Sequence, residues 1–230
     1  MTRGRILFFV GIFLLALIVF MPLSLALSMF GLTAQGLSAR SASGTVWSGA
    51  LSEARVGRVA VGDMSVGLRP LSLLIGRARV DMQSLLGQGS LTSTSSGFSV
   101  DDVTAKLATA RVFAPIPLNE LDLTDVSVAF ASGKCDKAEG RVRATFAGDI
   151  GGLALSQGLS GVARCDGGAL LLPLVSQSAL ERLNLRVQED GSYRAEFVVR
   201  STDPALATKL GAAGFMTAQG GFVLRVAGKL

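Results

Sequence analysis

The apolar positions of this chain fall into two regimes. From Ile6 to Phe30 no residue is charged and almost every position is apolar. A helix rises about 1.5 Å per residue, so a hydrocarbon core of about 30 Å needs roughly 20 such residues. The stretch predicts one transmembrane helix over 6–30. After it the spacing changes to period two. Val59 and Val61 alternate, and Met64, Val66 and Leu68 resume with the phase moved by one. Ala78, Val80 and Met82 follow, then Leu121 and Leu123, then Val126, Val128 and Phe130 with a second phase change, then Val142, Ala144 and Phe146. Alternation of this kind gives each strand one apolar and one polar face. The two phase changes predict a bulge or tight turn at Asp63 and Asp125.

The second half continues in the same way. Ala169 to Val175 reads as a buried strand. Leu183 to Val187 and Tyr193 to Val199 flank Glu189-Asp190-Gly191-Ser192, a hairpin signal because Asp-Gly tolerates positive φ. Phe222, Leu224 and Val226 form a last strand. Helix signals past residue 30 are few. Asp203 can cap a helix that begins at Pro204 and ends at Gly211 or Gly214, and Ser176 to Leu183 suits a short helix or a turn. The chain therefore reads as mainly β, with a tail at 1–5, an anchor at 6–30 and an antiparallel β domain at 31–230. Gly31 to Gly44 forms a small-residue connector at its start.

Two stretches resemble each other. VAVGDMSVGL at 59–68 aligns with LDLTDVSVAF at 121–130, matching Asp63 to Asp125, Ser65 to Ser127 and Val66 to Val128. A Gly-Arg pair follows each, Gly76-Arg77 and Gly140-Arg141. One reading is a duplicated β-meander, with halves at 45–115 and 116–230. The other is chance similarity between short alternating segments.

Charge gives the apolar run a direction. Arg3 and Arg5 precede it without an acidic residue, and basic residues are retained on the cytoplasmic side. The N-terminus is then inside and the β domain on the far side. A cleaved signal peptide is the competing reading, with Ala26-Leu27-Ser28 as a loose cleavage site. Its apolar region is ordinarily about 7–15 residues, and this run is longer. Setting Arg3 and Arg5 aside, the 22 basic residues keep only a small excess over the 17 acidic ones. They are scattered, with no block interleaved with aromatics, which argues against nucleic-acid binding. Cys135 and Cys165 are the two cysteines. In an oxidising compartment two thiols pair, and a bridge here would close a loop of about 31 residues, contributing roughly 3–4 kcal/mol in the chain-entropy picture. Two separate buried thiols are the alternative.

Catalytic groups are sparse. The chain contains no histidine, which removes the commonest general base and metal ligand and any Ser-His or Cys-His pair. Gly-x-Ser-x-Gly, Ser-x-x-Lys, P-loop and Gly-x-Gly-x-x-Gly patterns are also missing. Asp101 and Asp102 are adjacent, so on a regular strand they point to opposite faces and make a poor dyad. Two cysteines without histidine are too few for zinc. The chain reads as a non-enzyme without metal or cofactor. Trp47, the single tryptophan, is either a partner-binding anchor or a packing residue near the membrane.

The segment Ala42 to Ala50, with Gly44, Thr45, Trp47 and Gly49 in order, resembles the Gly-Thr-hydrophobic-Trp-x-Gly signature of type II secretion system protein N. Similar too are the Leu68-Arg69-Pro70-Leu71 segment, the spaced Cys135 and Cys165 with Gly161 before the second, and the Asp190-Gly191-Ser192-Tyr193 hairpin. The Asp203-Pro204 helix and the closing strand from Gly220-Gly221-Phe222 to Gly228 complete the resemblance. It implies an accessory inner-membrane component of the machine that exports folded proteins from a Gram-negative periplasm. Its implied partners are the other inner-membrane components of that complex. The family also looks related to the AsmA-like group, which implies a curved sheet with an apolar concave face and lipid as a further candidate ligand. No catalytic residue is carried over, and Gly44, Trp47 and Gly49 stand as a candidate structural or interaction motif.

Overall fold

The computed structural model describes residues 2–29, 37–56, 59–109, 112–146, 157–201 and 203–230. Two helices open it, α1 (Thr2–Val19) and α2 (Leu23–Met29). The strands β1 (Leu37–Ser38), β2 (Ser41–Gly44), β3 (Gly49–Val56) and β4 (Val59–Leu68) follow, then a single helical turn α3 (Pro70–Leu73). Next come β5 (Ala78–Ser84), β6 (Gly87–Thr94), β7 (Gly97–Ala108), β8 (Leu118–Ala131) and β9 (Lys134–Phe146). The rest is β10 (Leu159–Val162), β11 (Arg164–Asp166), β12 (Ala169–Val175), β13 (Glu181–Val187), β14 (Ser192–Val199), α4 (Pro204–Ala212), β15 (Met216–Ala218) and β16 (Gly221–Lys229).

Among the described residues all strands join one 16-stranded antiparallel sheet, and from β3 to β10 each strand pairs with the next in the chain. Hairpins need only short connections, so a meander of this kind follows directly from repeated alternation and turn residues. The expected strands at 59–68, 78–82, 121–130, 142–146, 169–175, 183–187, 193–199 and 222–226 all lie in it. Asp203 caps α4, its carboxylate accepting from Ala205 N at 2.8 Å, and Gln188 and Ser192 close the expected Asp190-Gly191 hairpin. Ser176 to Leu180 forms a turn rather than a helix. Part of the expected connector is a strand, since β2 pairs with β3, while 31–36 lie outside the described residues.

Both phase changes are bulges. Asp125 has φ of 51° and the β8–β9 register slips between Thr124 and Ser127. At the other site Gly62 takes φ of 80°, Glu53 on the facing strand takes φ of 50°, and Asp63 Oδ1 accepts Glu53 N at 2.9 Å. The two Gly-Arg pairs differ in setting. Gly76-Arg77 lies in the turn before β5, whereas Gly140-Arg141 lies inside β9, with Gly140 at φ of 106° opposite the Asp125 bulge.

The N-terminus corrects an expectation. The apolar run is not one helix over 6–30 but two, broken between Val19 and Leu23. Among the described residues no helix is long and apolar enough to cross a membrane. Pro22 is the cause, because a proline has no N–H to donate to the carbonyl four residues earlier. Pro22 instead forms a bridge with Thr45. After it α2 folds back on the sheet, burying Leu23 and Ala26 and packing Leu23 against Leu51 and Ala54 of β3.

One apolar face runs across the sheet. Facing pairs Leu51–Met64, Val66–Met82, Val80–Leu91, Leu91–Val100, Val100–Val128 and Phe98–Phe130 carry it from β3 to β8. Leu123–Val142, Leu174–Leu183, Leu183–Phe197 and Phe197–Leu224 continue it to β16. Its cover is uneven. Over β8–β16 the 112–116 segment, α4 and Phe215 close it into the main core, with Phe197 stacked on Phe146 at 5.6 Å and meeting Phe215 at a tilt at 5.7 Å. Phe113 meets Tyr193 edge-on at 4.9 Å, and the Tyr193 hydroxyl donates to Val112 O. Over β3 and β4 the cover is α2. Between these covers Val80, Met82, Leu91 and Val100 stay only half-buried.

Candidate interaction site at the helix–sheet joint

The Gly44–Gly49 segment is the turn of the β2–β3 hairpin. Gly44 and Gly49 face each other across it, and Thr45 and Ser48 exchange backbone hydrogen bonds at 3.1 and 3.2 Å. Gly44 has φ of 83°, a conformation that a side chain resists. A Cβ on Gly49 would stand 2.6 Å from Leu23 Cδ2, so this glycine admits the close approach of α2.

Trp47 joins the turn to α1. Its indole N–H donates to Ile18 O at 3.1 Å. That carbonyl has lost the i+4 donor at Pro22 and accepts Met21 N only at a long 3.4 Å, so the tryptophan adds from the sheet a second, shorter bond at the helix end. Val46 extends the joint on both sides: its N–H donates to Met21 O at 3.1 Å, and its carbonyl accepts Leu68 N at 2.9 Å. The Gly-Thr-Val-Trp-Ser-Gly turn and the Leu-Arg-Pro-Leu segment, far apart in sequence, thus meet at the end of α1. Pro70 then opens α3. The sequence singled out Gly44, Trp47 and Gly49 without showing what they touch. The partner signal is Pro22, which breaks the helix and removes the i+4 donor from the Ile18 carbonyl.

Cys135 and Cys165 lie elsewhere, in β9 and β11, and are joined as a disulfide with Cα atoms 5.5 Å apart. Gly161 brings β10 against β12, where a Cβ would strike the Pro173 carbonyl. Gly228 leaves room for the Tyr193 ring.

A polar groove lies beneath α3 on the opposite sheet face, bordered by Arg77, Arg79, Asp101, Asp102, Lys137 and Glu139. Asp101 accepts from Ser99 Oγ at 3.0 Å and Thr92 Oγ1 at 3.3 Å. Both aspartates border this groove because Asp102 sits at a bulge with φ of 54°, which corrects the expectation of opposite faces. The Lys137–Glu139 hydrogen bond of 2.7 Å, reinforced by the carboxylate charge, holds the lysine above its ordinary pKa. The acids and bases are balanced and solvated. Among the described residues no group of three or more acidic or cysteine side chains is placed to hold a metal.

A family model described as type II secretion system (T2SS), protein N, matches residues 35–225. The chain belongs to the type II secretion system protein N family. The matched span contains the Gly44–Gly49 turn, the Leu68–Leu71 segment, both cysteines and most of the closing strand. Searches of curated proteins and of solved structures return no match.

Proposed function

We propose that this protein is a non-catalytic accessory component of the type II secretion machinery. It is held in the inner membrane by the apolar N-terminal segment that begins with α1, with its N-terminus in the cytoplasm and its sheet in the periplasm. The observation that carries this reading is the family match over 35–225. The helix–sheet joint supports it from a second side. α1 exposes Phe8, Phe9, Ile12, Phe13 and Leu17 to its surroundings, an arrangement unfavourable in water over so long a stretch. Arg3 and Arg5 mark its cytoplasmic end by the positive-inside rule. With Trp47, Val46 and Pro22 bonded at its other end, the sheet is fixed to the anchor rather than hung from a loose tether. Such a joint suits a part that holds neighbours in register within an assembly. Its partners are then other inner-membrane components of the complex. Deleting the gene and assaying secreted enzymes in the culture medium tests the reading. Loss of secretion restored by the wild-type chain supports it. Unchanged secretion together with unchanged assembly of the inner-membrane complex overturns it.

A second reading is favoured by one specific observation, the half-buried stripe of Val80, Met82, Leu91 and Val100 between the two covered regions. An open apolar face of this kind can hold an acyl chain. Mass spectrometry of the purified full chain for co-purifying lipid separates the readings, and a lipid-free protein counts against this one.

A further inference from the structure

Between β4 and β5 the chain runs Pro70-Leu-Ser-Leu-Leu-Ile75, and Leu71, Leu74 and Ile75 are 77%, 82% and 69% exposed. The segment is ordered by its own backbone: Ile75 N and Arg77 N both donate to Ser72 O, at 3.3 and 3.0 Å, and Gly76 N donates to Leu73 O at 3.0 Å. It is therefore a fixed projection on which Leu71 and Leu74 are the most exposed side chains, while Ile75 stands at the rim of the polar groove beneath it. Arg69 and Arg77 flank it with no acidic residue between them in sequence, and Arg69 is paired with Asp81 of β5.

Its position identifies what it meets. Leu68, immediately before it, donates to Val46 O, and the neighbouring Trp47 donates to Ile18 O near the end of α1. The projection thus lies at the sheet end where the anchor helix arrives. The sheet's other exposed leucine pair, Leu85 and Leu86, sits in the β5–β6 turn at the opposite end. The anchor is also short. From Ile6 to Val19 its uncharged part spans about 21 Å at about 1.5 Å per residue, less than the ~30 Å of a typical hydrocarbon core. A short span is accommodated by drawing its flanking groups toward the bilayer.

We propose that the Pro70–Ile75 projection is a second, interfacial membrane contact. Leu71, Leu74 and Ile75 enter the boundary between headgroups and acyl chains of the bilayer that holds α1. Arg77 lies at phosphate level, with the Asp81-paired Arg69 and Trp47 in the same layer. Large apolar side chains flanked by basic ones have the composition of segments that lie in a membrane interface. The inference rests on the reading of α1 as an anchor.

The full chain, reconstituted in phosphatidylethanolamine–phosphatidylglycerol nanodiscs with its disulfide intact, tests it. An environment-sensitive fluorophore is placed on one introduced thiol at a time, at Phe13→Cys, Leu74→Cys or Leu85→Cys, and quenched by spin-labelled lipid. Strong quenching at positions 13 and 74, a blue-shifted emission at 74, and water-like emission at 85 support the proposal. Quenching at 13 but not at 74 overturns it while leaving the anchor in place, and would assign the projection to a protein partner. Equal quenching at 74 and 85 also overturns it, because the whole domain would then lie on lipid. No quenching at 13 removes both the anchor and the contact built on it.

Discussion

Strands β8–β16 and strands β5–β6 share one sheet, one alternation and one apolar face, yet only the first group has a core. Phe197 is fully buried and touched by aromatics on both sides, whereas Met82, on the same face, remains half-buried. The difference lies in what covers the face. The C-terminal strands receive Val112, Phe113 and Ile116 from one loop, Leu210 from α4 and Phe215 after it. β3 and β4 receive α2. Strands β5 and β6 receive neither, and β7 reaches the main core through Phe98 and Leu107. Period-two spacing makes a strand amphipathic, and a separate, non-periodic segment decides whether the apolar side becomes interior.

The comparison is broken most sharply by truncating one side chain on each side of it. Phe197→Ala should cost about 3–5 kcal/mol, as large-to-small changes at full burial do, while Met82→Ala should cost about 1 kcal/mol or less. Denaturant unfolding of the full-length protein in detergent reads both, and equal losses would mean that the middle strands are as well packed as the rest. Replacing Cys135 and Cys165 together by serine should remove roughly 3 kcal/mol, again from the C-terminal region, visible as a lower unfolding midpoint that reducing agent reproduces in the wild type.

Smaller effects sharpen the account at the N-terminal cover. Gly49→Ala sets a Cβ against Leu23 Cδ2 and the Ser43 and Thr45 carbonyls, so a loss of about 1–3 kcal/mol and faster proteolysis near α2 are expected. Trp47→Phe keeps the ring but removes the donor to Ile18 O, with an expected loss of about 1 kcal/mol. Increased amide exchange at Val46 and Leu68 would report it, with no change in β12–β14. The smallest effect is a pH step. Hydrogen bonds from the Ser192 hydroxyl and its backbone N–H hold Asp190 below the ordinary aspartate value of 3.8. A lowered pKa contributes stability that is present above 3.8 and lost as pH falls through the folded-state value. Gly191 and Ser192 amide shifts should therefore move only below that ordinary value, and Asp190→Asn should abolish the step.

Much of the sheet was legible because amphipathic strands declare themselves. The Asp203 cap, the Asp190-Gly191 hairpin and the bulge at Asp125 follow from local chemistry that distant packing did not override. β6 and β7 were harder to see. Gly87 to Thr94 holds one large apolar residue, Leu91, and its strand is held by backbone ladders that any residue can supply. The covering loop is hard to read because Val112, Phe113 and Ile116 have no period, and only Tyr193, which bonds Val112 and meets Phe113 edge-on, gives them meaning. The break between α1 and α2 had a visible cause in Pro22, outweighed in the reading by the length of the apolar run. At the joint, the sequence marked Gly44, Trp47 and Gly49 as a set. That Trp47 bonds the carbonyl whose i+4 donor Pro22 removes required seeing a tryptophan and a carbonyl 29 positions apart brought together.

Amide hydrogen exchange across the full-length protein in nanodiscs probes the contrast between covered and uncovered strands most directly. Slow exchange throughout β12, β13 and β14, intermediate exchange in β3 and β4, and the fastest strand exchange in β5 and β6 are expected. Uniform protection from β3 to β16 would contradict the account.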